Sequence, residues 1–135
     1  MKIINYHDTS FIDKVYYKKI LKCLKGNKAS QFKENLTKIG FVENEDFRHV
    51  FINKKKKIVV KFGGIVCGKK PKRAVPTIQL KKANRRIRIQ PLVSVTEKDI
   101  QKALRVYERF STSFGSDAHA DNLGIYKGKA VTFDW

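Results

Sequence analysis

The sequence predicts an α+β fold: an N-terminal helical pair, then an antiparallel sheet, then one more helix and a terminal hairpin. Three observations carry this expectation. Apolar residues recur at helical spacing through residues 1–39, short alternating runs replace them from Gly40, and a helical period returns after Thr96. At 135 residues there is room for one domain with one core. A single domain over 1–135 is therefore expected, with helices in 1–39, the sheet in 40–93, and helix, loop and hairpin in 94–135.

In the first helix Thr9 or Ser10 is the expected cap. Phe11, Ile12, Val15, Tyr16, Ile20, Cys23 and Leu24 follow at helical spacing, and Gly26 suits the C-terminal end. A second helix runs from a Ser30 cap through Phe32, Leu36 and Ile39 to Gly40. The runs 47–52 and 57–62 read as a hairpin joined by Asn53 and four lysines. Phe51 and Phe62 are expected to point inward. A second antiparallel pair, 77–80 with 86–93, is joined by a basic turn from Lys81 to Arg85, and Pro91 ends its regular pairing. Thr96-Glu-Lys-Asp99 is a capping box with Asp at its fourth position. The helix after it places Ile100, Leu104, Tyr107 and Phe110 on one face. The last hairpin is 123–126 with 130–133, turning at Lys127-Gly-Lys129.

The charge is uneven. Thirty Lys and Arg against twelve Asp and Glu give +18, and from Phe47 to Thr96 there is no acid at all. A block of one sign repels itself unless an anion or solvent screens it. The partner it implies is a polyanion, either nucleotide or nucleic acid, or an acidic protein. For nucleic acid the candidate contacts are Lys54, Lys55, Lys56, Lys57, Lys69, Lys70, Lys72, Arg73, Lys81, Lys82, Arg85, Arg86 and Arg88. Lysine outnumbers arginine, and an AT-rich genome would also produce this composition. No apolar run approaches the roughly 20 residues of a membrane span, so no membrane partner is expected. The N-terminus lacks the apolar core of a signal peptide, and Cys23 and Cys67 have neither the number nor the spacing of a disulfide framework or zinc site. Both point to a cytoplasmic location.

The last stretch carries the chemistry. Asp117, His119 and Asn122 form a D-x-H-x-x-N pattern, followed by the hairpin and by Phe133-Asp134-Trp135. This resembles the catalytic loop and metal-binding aspartate of the protein-kinase and aminoglycoside-phosphotransferase superfamily, in its small-molecule branch. Upstream, Ile58-Val-Val-Lys61 is similar to the strand that bears the phosphate-pairing lysine, and Gln90-Pro-Leu-Val93 falls where that family leaves its sheet. The resemblance covers about residues 40 to 135. It implies a kinase-like N-lobe sheet, a catalytic-loop helix and hairpin, and a truncated C-lobe, as in short kinase-like proteins of bacteriophage genomes. A phage-encoded chain would act in the host cytoplasm or the virion.

The resemblance also implies ATP and Mg2+ as cofactors. It makes Asp117 the base or hydroxyl-orienting carboxylate and places His119 near the γ-phosphate. Asn122 and Asp134 become magnesium ligands, and Lys61 the contact to the α- and β-phosphates. The sequence departs from the pattern in several places, among them a stretch over 63–76 that does not look helical and Gly115-Ser116 where the family has a histidine before its catalytic aspartate. Residues 40–47 hold one glycine and three acids where a phosphate loop would lie, no Glu follows Lys61 before Glu97, and the chain given stops one residue after Asp134. Two expectations follow: a minimal Mg-ATP-dependent phosphotransferase or nucleotide binder, and alternatively an inactive kinase-like fold serving as a basic nucleic-acid- or protein-binding module, such as a phage accessory or structural protein.

Overall fold

The computed structural model describes residues 2–6, 9–26, 28–45, 49–63, 71–82, 85–115 and 120–133. It is a mixed α+β structure, and the chain divides into two compact units, Met1–Gly64 with Pro76–Pro91, and Ile65–Val75 with Leu92–Trp135.

The first unit is a six-stranded antiparallel sheet with two helices on one face. Its elements are β1 (Lys2–Tyr6), α1 (Lys14–Cys23), α2 (Ala29–Lys38), β2 (Val42–Glu43), β3 (Val50–Asn53), β4 (Ile58–Phe62), β5 (Ile78–Lys82) and β6 (Arg85–Pro91), and the strand order is β1-β5-β6-β4-β3-β2. The core joins Tyr16, Ile20 and Leu24 of α1 and Phe32 and Leu36 of α2 to alternate residues of the strands: Phe51, Ile58, Val60, Ile78, Leu80, Ile87 and Ile89. Phe51 is buried and Phe62 packs against this core, as expected.

Helix α1 starts later than its Thr9 or Ser10 cap implies. Asp13 is the cap, its carboxylate accepting from the Val15 N–H at 3.2 Å, because residues 9–12 are already closed into a turn by Ile12 N–H to Thr9 O. Helix α2 starts at Ala29 with Lys28 in the cap position and no side-chain cap bond, so Ser30 is inside the helix. It ends as the sequence indicates. Gly40 takes φ 103, its N–H reaches Thr37 O, and the Phe41 N–H reaches Leu36 O, the paired bonds of a Schellman stop.

The strand expected over 47–52 begins only at Val50, because His49 takes φ 65 and a left-handed residue cannot continue extended pairing; residues 46–48 lie outside the described residues. Pairing of β5 with β6 extends to Lys82 and Arg85, further than a turn from Lys81 to Arg85 allows, so the connection is residues 83–84 alone. Pro91 is the last paired residue of β6, opposite Ile58, and ends the regular pairing as expected. Strand β1 was not foreseen. It pairs with β5, more than 70 residues along the chain. At the opposite edge His49 N–H and then Lys33 hold the Glu43 carboxyl below its ordinary range; so exposed a pair adds little stability.

The second unit contains α3 (Glu97–Phe110), β7 (Leu123–Tyr126) and β8 (Lys129–Thr132). The Thr96 hydroxyl caps α3 by accepting from Asp99 N–H at 3.2 Å, an arrangement worth about 1 kcal/mol. The Asp99 carboxylate does not close the box on the cap residue's N–H. It accepts from the Ser94 hydroxyl instead, and this bond, followed by a side-chain interaction of the Thr96 hydroxyl with the same carboxylate, holds its pKa below the ordinary value. The buried face of α3 is also displaced from the expected one. Ala103, Leu104, Val106 and Tyr107 pack with Phe114, Leu123 and Ala130, whereas Phe110 is 49% exposed under the Arg73 guanidinium, 5.0 Å from its ring centroid.

The terminal hairpin turns over two residues, not three. Tyr126 already pairs with Lys129, and both Lys127 (φ 50) and Gly128 (φ 76) are left-handed, the type I′ geometry that matches strand twist. The hairpin carries chain on both edges. Ser94 exchanges two backbone bonds with Ile125 at 3.0 Å, while Val75 N–H to Thr132 O and Thr132 N–H to Arg73 O, each 2.9 Å, line the other side. Val75, Val93 and Val131 form the small cluster between them.

One pH effect follows from the first unit's core. Burial raises the Tyr16 pKa above its ordinary 10.0, with Asn53 pulling partly the other way and Cys23 adding to the rise. Burial also raises Cys23 above 9.0. A raised pKa means the fold favours the neutral form, so this stability is complete below the ordinary values and is lost as pH rises through the folded ones. The urea midpoint is expected to stay level to about pH 9 and to fall beyond it, with Tyr16→Phe removing the later part of the fall. A midpoint that rises with pH in that range would contradict the assignment.

Candidate functional site

Side chains alternate across a strand, so the residues between the core positions of β4, β5 and β6 share the face away from the helices. They are markedly basic. Lys61 of β4 stands opposite Arg88 of β6, which stands opposite Gln79 of β5, and in the adjacent row Arg86 stands opposite Lys81. Directly opposed side chains in a sheet have Cβ atoms about 5 Å apart, and like charges in that relation are destabilising. Lys61, Arg86 and Arg88 are each half-buried and Lys81 is exposed. The Arg86 Nη1 is fully buried and has no hydrogen-bond partner among the described residues. A buried donor left in that state costs about 1–3 kcal/mol. Further along the face Gln90 Nε2 donates to Thr77 Oγ1 at 3.1 Å, both buried.

The other cations fall in several places. Lys54, Lys55, Lys56 and Lys57 are all exposed in the β3–β4 turn. Asn53 builds that turn from beneath: its Oδ1 accepts from Lys56 N–H at 3.1 Å, and its Nδ2 donates to Tyr16 OH at 2.6 Å and to Ile39 O at 3.3 Å. Lys57 closes it at φ 56. Lys72 and Arg73 belong to the second unit. Lys72 is exposed, and Arg73 is half-buried with its guanidinium near the rings of Phe110 and Phe114. Lys82 and Arg85 are paired residues of β5 and β6 whose side chains are outside the described ones, and Lys69 and Lys70 lie outside the described residues altogether.

Of the tail residues, Asp117, His119 and Asp134 also lie outside the described residues. Asn122 is described and is 5% exposed, in a single 3-10 turn over Ala120–Asn122 that leads straight into β7. Its carbonyl accepts from Phe133 N–H at 3.0 Å, one step beyond the Leu123–Thr132 pair. The hairpin thus brings Asn122 back to the residue that immediately precedes Asp134 in the chain, although ten residues separate the two positions of the bond. Among the described residues no three of His, Cys, Asp and Glu come together as a metal cluster. Magnesium needs fewer, since it takes one or two protein oxygen ligands and completes its shell with phosphate and water. Of the two expected ligands Asp134 is the carboxylate, and it lies outside the described residues.

The pairing of cations across the sheet was not visible in the sequence. It depends on strand register, which joins Lys61 to Arg88 across 27 positions. Comparison with protein-family models, with curated proteins and with solved structures finds no match. Among the described residues no helix is long and apolar enough to cross a membrane.

Proposed function

We propose that this protein binds a magnesium nucleotide as a minimal kinase-like protein, with phosphoryl transfer as the associated chemistry. The observation that supports this most is the basic face around Lys61 and, within it, the buried Arg86 Nη1, which has no hydrogen-bond partner among the described residues. The Arg86 nitrogen is unfavourable where it stands, and a phosphate group offsets it by accepting a charge-assisted hydrogen bond. Lys61 and Arg88 are the contacts for the phosphates, and Arg86 is held behind them in the neighbouring row. Asn122 and Asp134 are the magnesium ligands, Asp117 orients the attacking hydroxyl, and His119 lies by the terminal phosphate. What supports the tail assignment is the hairpin register, which returns the end of β8 to Asn122. ATP would supply the phosphoryl group and Mg2+ would neutralise charge on its oxygens.

The test is thermal stabilisation by ligand. Nucleotide at about 100 times its Kd should stabilise the fold by about 2.7 kcal/mol. Lys61→Ala and Asp134→Asn should each abolish most of that gain without lowering the midpoint of the free protein. Equal stabilisation of both variants and the parent would end the proposal.

A second reading is favoured by the acid-free stretch from Phe47 to Thr96. In it the chain is an inactive kinase-like fold whose basic residues bind nucleic acid or an acidic protein. It predicts affinity that falls steeply with salt and no dependence on magnesium.

A further inference from the structure

The outer surface of α1 carries a second concentration of charge. Lys14, Lys18, Lys22 and Lys25 follow one another at intervals of four, four and three residues, all exposed. They lie opposite the side that sends Tyr16, Ile20 and Cys23 into the core. Lysines at such spacing are neighbours on a helix and repel one another. Asp13 is the one acid in residues 9–26, and its carboxylate is engaged in capping the helix. Among the described residues no ion pair neutralises any of the four; the two pairs present are Lys33–Glu43 and Lys38–Glu34.

This stripe is joined to the lysine turn. Lys56 Nζ lies 5.2 Å from the centroid of the Tyr16 ring, and Asn53, at the base of the turn, donates to the Tyr16 hydroxyl at 2.6 Å. Helix and turn are therefore parts of one surface, fixed to each other by buried groups. The helices cover the face of the sheet opposite to Lys61 and Arg88, so this surface is separate from the candidate nucleotide site and does not rest on that reading.

We propose that α1 and the Lys54–Lys57 turn form a docking surface for double-stranded DNA, which they hold by its phosphates without reading sequence. Charge complementarity selects a polyanion. From Lys14 to Cys23 the helix rises about 14 Å, a length that spans about four phosphates of one DNA strand. The surface offers point charges and lacks the side-chain amides and arginine forks that read base edges. It also offers no exposed aromatic ring on α1 or the turn for stacking an unpaired base. A membrane-surface helix would present its apolar side to lipid, but that side of α1 is spent in the core and leaves only Val15 exposed. Lysines alone likewise provide no acceptor for the ribose hydroxyls by which RNA duplexes are recognised.

The experiment is fluorescence anisotropy of the full chain with a labelled DNA duplex between about 50 and 200 mM salt. The parent should show a log–log salt slope of about −4 to −6. The double variant Lys18→Glu/Lys22→Glu and the triple variant Lys54→Ala/Lys55→Ala/Lys57→Ala should each bind at least about tenfold more weakly and with a shallower slope. All substituted residues are exposed, so circular dichroism melts should match the parent, and stabilisation by Mg-ATP should be unchanged. Lys56 is retained because it packs on Tyr16. Parent-like affinity in both variants would overturn the proposal, as would no binding at the lower salt. Equal binding to an RNA duplex, or tighter binding to phosphatidylserine vesicles, would overturn the assignment to DNA.

Discussion

Gly124→Ala is expected to disrupt the second unit, at a cost of about 3 kcal/mol. Gly124 is extended, so the reason is space and not backbone conformation. A Cβ there would collide with Val93 Cγ1 and would lie 2.6 Å from Ser94 O, with Val95 Cγ1 at 3.2 Å. Ser94 O is the acceptor for Ile125 N–H, and Ser94 N–H donates in return to Ile125 O. The chain cannot retreat from a methyl group at 124 without stretching both bonds and opening the Val75, Val93 and Val131 cluster. Denaturant unfolding should report the loss directly. A change under about 0.5 kcal/mol, the range of an ordinary surface substitution, would show that the close approach is not as described.

Asn53→Ala is expected to cost about 2–3 kcal/mol. The side chain is 5% exposed and serves three partners on three elements: Tyr16 OH on α1, Ile39 O after α2, and Lys56 N–H in the lysine turn. Truncation leaves the turn without its acceptor and the tyrosine without its donor. It also opens a void beside Gly40, where an added Cβ would meet Asn53 Nδ2 at 3.0 Å. The variant should unfold at lower urea and should deepen the alkaline fall of the stability profile, because the Asn53 N–H no longer opposes the rise in the Tyr16 pKa. Asn53→Asp, which keeps the acceptor for Lys56 N–H and loses the donor, should separate the two contributions.

Much of the fold was legible because local signals agree with the tertiary contacts that enforce them. The apolar spacing of Tyr16, Ile20 and Leu24 marks α1 by itself, and the Phe32, Leu36 and Gly40 series marks α2 and its stop. Strand β1 shows the limit. Five residues whose partner lies far along the chain give no hairpin signal, since the partner strand begins at Ile78. Phe110 shows another limit, since helical spacing places it with Leu104 and Tyr107 but the helix ends against Arg73 before its ring can be covered. At the candidate site, the position of Lys61 on a strand was readable from Ile58-Val-Val-Lys61. Its juxtaposition with Arg88, and the stranded Arg86 nitrogen, come from register alone. The α1 lysine stripe did carry a signal, the four-residue recurrence from Lys14 to Lys25, but the helix was read for its apolar side. Of the tail motif, Asn122 is the one member whose surroundings are described.

The measurement that tests the central claim most directly is isothermal titration of ATP into the full-length chain, with magnesium and with a chelator in its place, repeated for Asp134→Asn. If the protein is a magnesium-nucleotide binder, the parent shows saturable one-to-one heat that depends on magnesium, and Asp134→Asn shows at least about a tenfold loss, or 1.4 kcal/mol. Heat that is the same with chelator, the same in Asp134→Asn, and abolished only by salt would contradict the account and leave a basic surface that binds phosphate without a metal site.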